Sequence, residues 1–432
     1  MQSAEPKISI IITTYNRGDL LRRQLQRLTD QTLPVEEFEV VVADDGSSDD
    51  TKSIVEEFAG RLPLAYHYQE DLGFRVCAAR NAGARLARAP VLAFLDAGAI
   101  PGPGLVAAHL AAHADPARRR VVAGYGHAFS ASLGRLDGLG ELIDELPLDE
   151  VVQRYAGDPE FLDGRFDRLA AVGFDMDRDR LPWQIFFTFN FSVRADDFRA
   201  VDGFDEAFVQ WGGEDLELGY RFARSGMSFH FDRDAWIVEW PHDRPMVERM
   251  RHFTENMLLF LAKSTEPAVE VGYPAVRDVR FWEWPDWYQE VVEHARAVRD
   301  VEVAGEIADA LARVDAPGRV AVFGCGPVVP AGLSDDAILM DFDADLVDRA
   351  TRDARHSGQH AIGIRTTLPE QSVDTVIITT RLDGLWERWG SDLMAEAHRI
   401  GRRVEVVRAE PVPRSADEPD SVNDTPREAD HG

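Results

Sequence analysis

Three short apolar runs near the start of the chain constrain its fold more than any other feature. They are Ile8 to Thr13, Phe38 to Ala43 and Val91 to Leu95, and patterns with helical spacing lie between them. Runs that are apolar at almost every position are typical of strands covered on both faces, as in parallel sheets. Asp44-Asp45 and Asp96 directly follow two of these runs. Because ligands bind at the carboxyl ends of parallel strands, we expect a functional site at this edge of the sheet.

A second strand and helix pattern starts near residue 319. Val320 to Phe323 is an apolar run followed by Gly324-Cys325-Gly326, and the residues after 409 include almost no apolar side chains. We therefore predict an α/β protein with a large, mostly parallel Rossmann-like sheet flanked by helices, and a second, small Rossmann-like domain. The expected segments are a large domain over 1–265 with an insertion at about 125–185, a helical connector over 266–316, a small domain over 317–409, and a disordered acidic tail over 410–432.

The composition restricts the partners and the compartment. The formal net charge is −29, which argues against nucleic acid and against an anionic membrane surface, since both attract clusters of Lys and Arg. No run of about 18 apolar residues is present, so no membrane span is expected. The two cysteines, Cys77 and Cys325, lie far apart and indicate neither a disulfide framework nor a cysteine-based zinc site. We therefore expect a cytoplasmic protein.

Four motifs in a fixed order resemble those of a known family. The stretches ISIIITTYNRGDLLRRQLQRLTDQT, EVVVADDGSSDDT and ARNAGARLARAPVLAFLDAG resemble family 2 glycosyltransferases with the glycosyltransferase A fold. The stretch FNFSVRADDFRAVDGFDEAFVQWGGEDLELGYRFARSG resembles the acceptor-side module of β-1,4-galactosyltransferases and chondroitin polymerases. Together these motifs cover roughly residues 7–245.

The resemblance implies an inverting enzyme that moves a sugar from a nucleotide-sugar, of the UDP type, to a soluble acceptor. The acceptor would be a glycan, a peptide or a natural product. Two alternatives stay open: a carbohydrate-binding protein that has lost turnover, and a bifunctional protein that also methylates. An acidic chain must hold a cation or local basic groups at such a site, because it would otherwise repel the phosphates.

The first donor-side motif follows the first strand. Thr14, Tyr15 and Asn16 are expected to stack on a base and to offer backbone groups to it. The alternative is an ordinary turn from strand to helix, in which Asn16 or Asp19 caps the helix. The ordered set of motifs favours the donor-binding interpretation.

Two further motifs complete the expected donor side. Asp44 and Asp45 are expected to bind the nucleoside, with Asp45 as the favoured ligand and the other carboxylate shaping an Asx turn around Gly46. Arg80 and Asn81 lie on a predicted helix where the family places donor contacts. A solvated arginine is the alternative for Arg80.

The metal motif departs from the family pattern. Relatives usually carry two carboxylates spaced as Asp-x-Asp, which hold Mn²⁺ or Mg²⁺ against the diphosphate. Here Asp96 is followed by Ala97 and Gly98, so the second carboxylate is missing. The resemblance suggests His242 as the ligand that completes the site, with Asp243 as a fallback. The enzyme would then depend on Mn²⁺ or Mg²⁺; otherwise its dependence on the metal ion is weakened.

The acceptor-side motif is Trp211-Gly212-Gly213-Glu214-Asp215. The resemblance makes Asp215 the catalytic base that takes the proton of the acceptor. Trp211, Gly213 and Glu214 would bind the acceptor, and Asn190 would line the same pocket. The alternative is that the two adjacent carboxylates only favour the start of a helix.

The C-terminal stretch VAVFGCGP, with a later strand ending on Asp341, resembles the start of an S-adenosylmethionine methyltransferase fold. The unit is about half the usual length, and Pro327 follows the glycine turn. We therefore expect a module without S-adenosylmethionine that serves packing, self-association or partner binding, for example in a homo-oligomer. A functional methyl-donor site is the alternative.

Overall fold

A computed structural model of the chain describes residues 5–129, 136–241, 246–353 and 355–408. The chain divides into two compact units, Met1–Val292 and Glu293–Gly432, here called unit one and unit two. Each unit contains its own sheet. Residues 266–292 of the expected connector belong to unit one.

Strands and helices alternate through the first part of unit one. The strands are β1 (Ile8–Thr14), β2 (Phe38–Asp44), β3 (Leu64–Tyr68), β4 (Val91–Asp96), β5 (Ala99–Pro101), β6 (Arg120–His127), β7 (Asn190–Arg194) and β8 (Ser228–Glu239). The helices up to residue 297 are α1 (Gly18–Leu28), α2 (Thr51–Phe58), α3 (Val76–Leu86), α4 (Leu105–Ala112), α5 (Leu139–Glu145), α6 (Leu148–Arg154), α7 (Phe166–Ala171), α8 (Ala195–Ala200), α9 (Glu214–Arg224), α10 (Met246–Lys263), α11 (Pro267–Glu270), α12 (Gly272–Arg277) and α13 (Trp284–Ala297). Short 3₁₀ helices occupy Val35–Glu37, Pro159–Phe161, Met176–Arg178, Pro182–Ile185 and Phe281–Glu283.

The eight described strands of unit one form one sheet in the order β3-β2-β1-β4-β7-β6-β8-β5. The first four run parallel, whereas β7 is antiparallel to β4 and β6, and β5 is antiparallel to β8. Every residue of β1 and β2 is buried, as their apolar sequences predicted. The chain passes from β1 to β2 and β3 and then returns to β4 on the other side of β1. This reversal opens a crevice between the carboxyl ends of β1 and β4, where ligands bind in open α/β sheets.

Two helices lie closely against the first strands. Leu21, Leu25 and Leu28 of α1 recur at helical spacing and are fully buried. On α3, a Cβ atom added to Gly83 would lie only 2.6 Å from Cγ2 of Ile11. The glycine therefore permits close approach of α3 to β1, near the crevice.

The segment predicted as an insertion packs on the sheet in two ways. Its helices bury an apolar cluster against β5 and β8, and the cluster includes Leu139, Ile143, Leu148, Val151, Phe161, Ile100 and Val238. A fully buried ion pair forms a second link, since Nη2 of Arg165 lies 2.7 Å from Oδ2 of Asp163. Arg165 also donates to the carbonyl of Gly124 (2.8 Å), and Asp163 accepts from the amide of Gly126 (2.8 Å). The pair thus anchors the segment to β6.

Unit two has strands β9 (Val320–Phe323), β10 (Ile338–Asp341), β11 (Ser357–His360), β12 (Val373–Ile378) and β13 (Gly401–Val406). Its helices are α14 (Ala304–Ala312), α15 (Ala344–Ala350) and α16 (Trp386–Ile400), with a 3₁₀ helix at Thr380–Leu385. The sheet order is β11-β10-β9-β12-β13, and all the pairs are parallel. The α/β class with two sheets agrees with the prediction. No helix within the described ranges is long and apolar enough to cross a membrane.

The buried ion pair gives a test of how the insertion is held. Arg165→Met should lower the free energy of unfolding of unit one by about 3–5 kcal/mol, because it leaves the charge of Asp163 buried without a partner. The control Arg199→Met removes an exposed pair with Asp196 and should cost about 1 kcal/mol or less. Urea unfolding, read by hydrogen exchange of peptides from unit one, measures both. Equal small losses for the two variants would contradict the anchoring role.

Candidate active site

The crevice between β1 and β4 collects most of the predicted site residues. Thr13 of β1 is paired in register with Asp96 of β4. The amide of Ala97 donates to the carbonyl of Thr13 at 3.1 Å, so the two chain ends leave the sheet side by side. Residues that follow these strands therefore share one edge.

Asp44 shapes the turn that follows β2. Its Oδ1 accepts hydrogen bonds from the amides of Gly46 (3.1 Å) and Ser47 (2.8 Å), which is an Asx turn. Its Oδ2 accepts from the hydroxyl of Tyr66 at 2.7 Å. Asp44 is buried and its oxygens are used inside the protein.

Asp45 lies beside the loop that covers this turn. Its Oδ2 accepts from the amide of Arg75 at 2.8 Å, and its Oδ1 accepts from the side-chain amide of Gln69. Burial raises the pKa of Asp45. A Cβ on Gly46 would lie 2.5 Å from Cα of Asp71, so this loop rests directly on the glycine.

Asn16 locks the same turn instead of capping α1. Its Oδ1 accepts from the amide of Ser48, and its own amide donates to Oγ of Ser47, both at 2.8 Å. The N-terminus of α1 is capped from a distance, because the amide of Gly18 donates to Oδ2 of Asp49 at 2.9 Å. The alternative in which Asn16 caps α1 is therefore wrong. The backbone of Asn16 has a φ of +49°, which lies in the left-handed region.

Tyr15 and Thr14 differ in exposure. The ring of Tyr15 is 46% exposed, and its hydroxyl donates to Oδ2 of Asp71 at 2.9 Å. Thr14 is buried, and its hydroxyl has no hydrogen-bond partner among the described residues. An exposed ring beside a buried, unpartnered hydroxyl can serve a bound ligand.

Arg80 joins the two halves of the site. Its guanidinium is 4% exposed, and Nη2 donates to Oδ1 of Asp96 at 2.8 Å, while Nη1 lies 3.5 Å from Oε1 of Glu214. The guanidinium also lies 4.9 Å from the centre of the Phe204 ring. Burial lowers the pKa of Arg80, but the carboxylates of Asp96 and Glu214 raise it by a larger amount. The pKa is therefore raised overall, and the guanidinium stays charged. Arg80 thus links Asp96, which is expected on the donor side, with Glu214, which is expected on the acceptor side.

The predicted metal site lies only partly within the described residues. Asp96 has a carboxylate that is 43% exposed, but one of its oxygens accepts from Arg80. Within the described ranges, no three His, Cys, Asp or Glu side chains lie close enough to hold a metal ion. His242 and the fallback Asp243 lie outside those ranges. The described side chains alone therefore do not fit a divalent cation.

Asp215 has the environment of a general base. It is the second residue of α9 and is partly exposed, and its Oδ1 accepts from the amide of Leu216 at 2.9 Å. Burial, followed by the charge of Glu214, raises the pKa of Asp215 to about 8. Burial likewise raises the pKa of Glu214. A carboxyl group with such a pKa exchanges its proton near neutral pH, which suits proton abstraction.

The turn before α9 is held by two glycines and by α10. Gly212 and Gly213 have φ values of +93° and +88°, a region that favours glycine. A Cβ on Gly212 would lie 3.0 Å from Cβ of Phe253, and Asn256 donates to the Gly212 carbonyl at 2.6 Å. The ring of Trp211 meets Phe253 edge to face, with 6.0 Å between the ring centres. These contacts fix the start of α9 and therefore Asp215.

Two predicted site residues lie in the interior instead. Asn190 is fully buried, with Nδ2 donating to the carbonyl of Ala235 and Oδ1 near Nε2 of His109, both at 2.9 Å. Asn81 exchanges hydrogen bonds with the backbone of Phe204 at 2.8 and 2.9 Å. The acceptor role of Asn190 and the donor role of Asn81 do not agree with these positions, because both amides are already bonded within the protein.

Unit two has a filled crevice at the corresponding place. Both oxygens of Asp341 accept from Arg381, at 2.9 and 3.1 Å, and both side chains are fully buried. The amide of Gly326 donates to Asp341 at 2.9 Å. A Cβ on Gly324 would lie 3.1 Å from Cβ of Arg381, so the glycine turn packs against this arginine. The acid and the turn of the expected cofactor motif therefore contact Arg381.

Comparison with known proteins identifies the family. Residues 9–136 match glycosyl transferase family 2, and residues 170–256 match the N-terminal domain of galactosyltransferase. The chain is 40% identical over 418 residues to a validoxylamine A glucosyltransferase of Streptomyces hygroscopicus subsp. jinggangensis, covering 92% of this chain and 96% of that protein. The chain belongs to the family 2 glycosyltransferases.

Other relatives match this glycosyltransferase over shorter lengths. A chondroitin synthase of Escherichia coli is 33% identical over 230 residues, which are 51% of this chain and 33% of that protein. S. aureus TarS 1–349 in complex with UDP-GlcNAc superposes with a TM-score of 0.45 and 18% identity, over 62% of this chain and 72% of that one. All the predicted site residues lie within the two matched family segments.

Three residues that position the site were missed from the sequence. Tyr66 bonds to Asp44, Gln69 bonds to Asp45, and Asn256 holds the turn before α9. None of the three belongs to a recognisable motif. Each reaches its partner only through the folding of a distant strand, loop or helix of the glycosyltransferase.

The raised pKa of Asp215 predicts how the stability of this glycosyltransferase depends on pH. The carboxyl titrates near 3.8 when unfolded and near 8 when folded, so stability is lost as the pH rises from about 4 to about 8. Asp215→Asn removes this loss and should raise the melting temperature relative to the wild type by at least about 2 °C at pH 9, with little difference at pH 4. Thermal melts at several pH values measure this, with Asp196→Asn, an exposed carboxylate, as the control. A difference that does not grow with pH would contradict the shift.

Proposed function

We propose that this glycosyltransferase is an inverting enzyme that moves glucose from a UDP-type donor to a hydroxyl group of a small-molecule acceptor. The observation that carries the proposal is the position of Asp215 beside Glu214, which Arg80 joins to Asp96. One carboxyl group with a raised pKa and one donor-side carboxylate thus lie at the same crevice. Inverting transfer requires a single base, because the diphosphate leaves without being protonated.

The donor would lie along the ends of β1 and β2. The exposed ring of Tyr15 can stack on the base, and the loop over Gly46 carries two further exposed apolar side chains, Leu72 and Phe74. Asp45 accepts a hydrogen bond from the amide of Arg75 at the end of this loop. We assign it to the nucleoside, as a hydrogen-bond acceptor for neutral donors.

The reaction would proceed in one displacement. The acceptor hydroxyl gives its proton to Asp215 while its oxygen forms a bond to the anomeric carbon. The bond from that carbon to the diphosphate oxygen breaks on the opposite face, and the electron pair leaves with the nucleoside diphosphate. Glu214 would accept a hydrogen bond from a second acceptor hydroxyl, and Trp211 would offer an apolar face to the acceptor.

The sugar and the acceptor are proposed from the relatives. The two relatives that are 40% identical over 418 residues carry the name validoxylamine A glucosyltransferase. We therefore propose glucose as the transferred sugar and validoxylamine A, or a closely similar small molecule, as the acceptor. A glycan or a peptide acceptor is the second candidate, since two chondroitin synthases are 33% and 30% identical to this chain over 230 residues.

Several expectations stay predictions. A divalent cation, Mn²⁺ or Mg²⁺, would need His242 or Asp243 in addition to Asp96. A cytoplasmic location and a homo-oligomer formed through unit two are likewise predictions. A module without S-adenosylmethionine is supported by the contacts of Arg381 with Asp341.

Asp215→Asn tests the catalytic base. The variant should lose about 10²- to 10⁴-fold in turnover, the usual contribution of a positioned base, while its affinity for the donor nucleotide stays nearly unchanged. In the wild type, kcat/KM should rise with pH until about 8, because the base must be deprotonated. Asp196→Asn serves as the control and should follow the wild-type profile. Turnover of Asp215→Asn near the wild-type level would remove Asp215 from this role.

A ligand screen by thermal shift tests the donor class. UDP and UDP-glucose should raise the melting temperature more than GDP- or TDP-sugars, because a ligand that binds only the folded state stabilises it. Each nucleotide is measured with Mn²⁺ and with EDTA, and S-adenosylmethionine is included and should produce no shift. Binding of nucleotide-sugars without transfer to any acceptor would favour the alternative of a protein that has lost turnover. A shift with S-adenosylmethionine would favour the bifunctional alternative.

A further inference from the structure

The backbone at Gly98 does not suit a second metal-binding carboxylate. Gly98 has a φ of +109°, a conformation in which any L side chain is strained. A Cβ atom built there would lie 3.5 Å from Cδ1 of Leu20 and 3.9 Å from Nη1 of Arg17. The place next to Asp96 where relatives carry a carboxylate is thus bordered by a guanidinium.

Arg17 differs from the other arginines of this region. Arg22 pairs with Glu57, Arg23 pairs with Asp144, and Arg27 donates to backbone carbonyls. Arg17 is partly exposed, and among the described residues it has no side-chain hydrogen bond or ion pair. In a chain with a net charge of −29, an arginine that has no acidic partner within the described ranges is available for an anion.

Three buried residues of the candidate site also carry polar atoms without a hydrogen-bond partner among the described residues. The hydroxyl of Thr14 is unpartnered and lies at the end of β1, three residues before Arg17. Nε of Arg80 and Oε2 of Glu214 are unpartnered as well. Thr14, Arg80 and Glu214 are each more than nine-tenths buried. Buried polar atoms of this kind indicate a ligand that supplies the missing hydrogen bonds.

We infer that Arg17 binds the diphosphate of the donor. Its positive charge takes the place of the charge of a divalent cation, which relatives would hold with a second carboxylate. The inference rests on the proposed donor class. The planar guanidinium can donate two parallel hydrogen bonds to phosphate oxygens. It lies beside Gly98, two residues after Asp96 at the end of β4. As the bond from the sugar to the diphosphate breaks, the growing negative charge is stabilised by Arg17.

The consequence is that donor binding does not depend on a metal ion. In wild-type protein, UDP should bind with similar affinity in EDTA and in Mn²⁺. Arg17→Ala should weaken UDP binding in EDTA by about 10- to 100-fold, the usual effect of losing a charge-assisted hydrogen-bond pair. Arg17→Lys keeps the charge without the planar fork and should weaken it less.

The experiment is isothermal titration of UDP into the full chain, in EDTA and in Mn²⁺, for four proteins. They are the wild type, Arg17→Ala, Arg17→Lys and the control Arg22→Ala, which removes the same charge from the outer face of α1. The control should bind UDP as the wild type does. Melting temperatures of the variants are compared with that of the control, so that a loss of binding is separated from a loss of fold.

Two results would overturn the inference and leave the proposed function intact. One is UDP binding by the wild type that is lost in EDTA and restored by Mn²⁺. The other is binding by Arg17→Ala in EDTA as tight as in the wild type. An absence of UDP binding under both conditions would instead remove the proposed donor class, and the inference with it.

Discussion

The candidate site depends on one buried cation. Arg80 lies beneath the crevice, donates to Asp96 at the end of β4, and lies 3.5 Å from Glu214 at the start of α9. These two acidic residues come from segments more than a hundred positions apart in the chain. Three carboxyl groups, including Asp215, would repel one another without this charge. Arg80 therefore permits Asp96 and Glu214 to lie close together. Gly83 allows α3, which carries Arg80, to lie directly against β1.

Local patterns were sufficient to predict most of the fold. The apolar runs Ile8 to Thr13, Phe38 to Ala43 and Val91 to Leu95 form β1, β2 and β4 within one residue at each end. Helix α3 ends at Leu86, although the alanine-rich sequence continues to Ala89, because Ala87 is extended and Arg88 bonds to Glu39 of β2. The antiparallel direction of β7 was not predictable either, since an apolar run reads the same in both directions. Long-range pairing decides both features.

The sequence motifs indicate which residues to expect at the candidate site. They do not indicate the residues that support the site only through tertiary contacts. Asp96 and Glu214, which two different motifs contribute, both lie next to Arg80, and Asp215 directly follows Glu214. Asn190 was assigned to the acceptor from its motif, but its side chain bonds to His109 and Ala235 in the interior. A polar residue in a family motif can serve the core as well as the ligand, and sequence alone does not separate these roles. The pKa of Asp215 likewise follows from burial, which a linear pattern does not contain.

The filled crevice of unit two has a consequence for how that unit behaves. Arg381 is tethered by the chain beside Asp341 and the glycine turn, so its effective concentration there far exceeds that of any dissolved small molecule. A small molecule that requires Asp341 would therefore have to displace Arg381 first. Such an internal competitor makes this place less accessible to a small molecule than an open glycine turn would be.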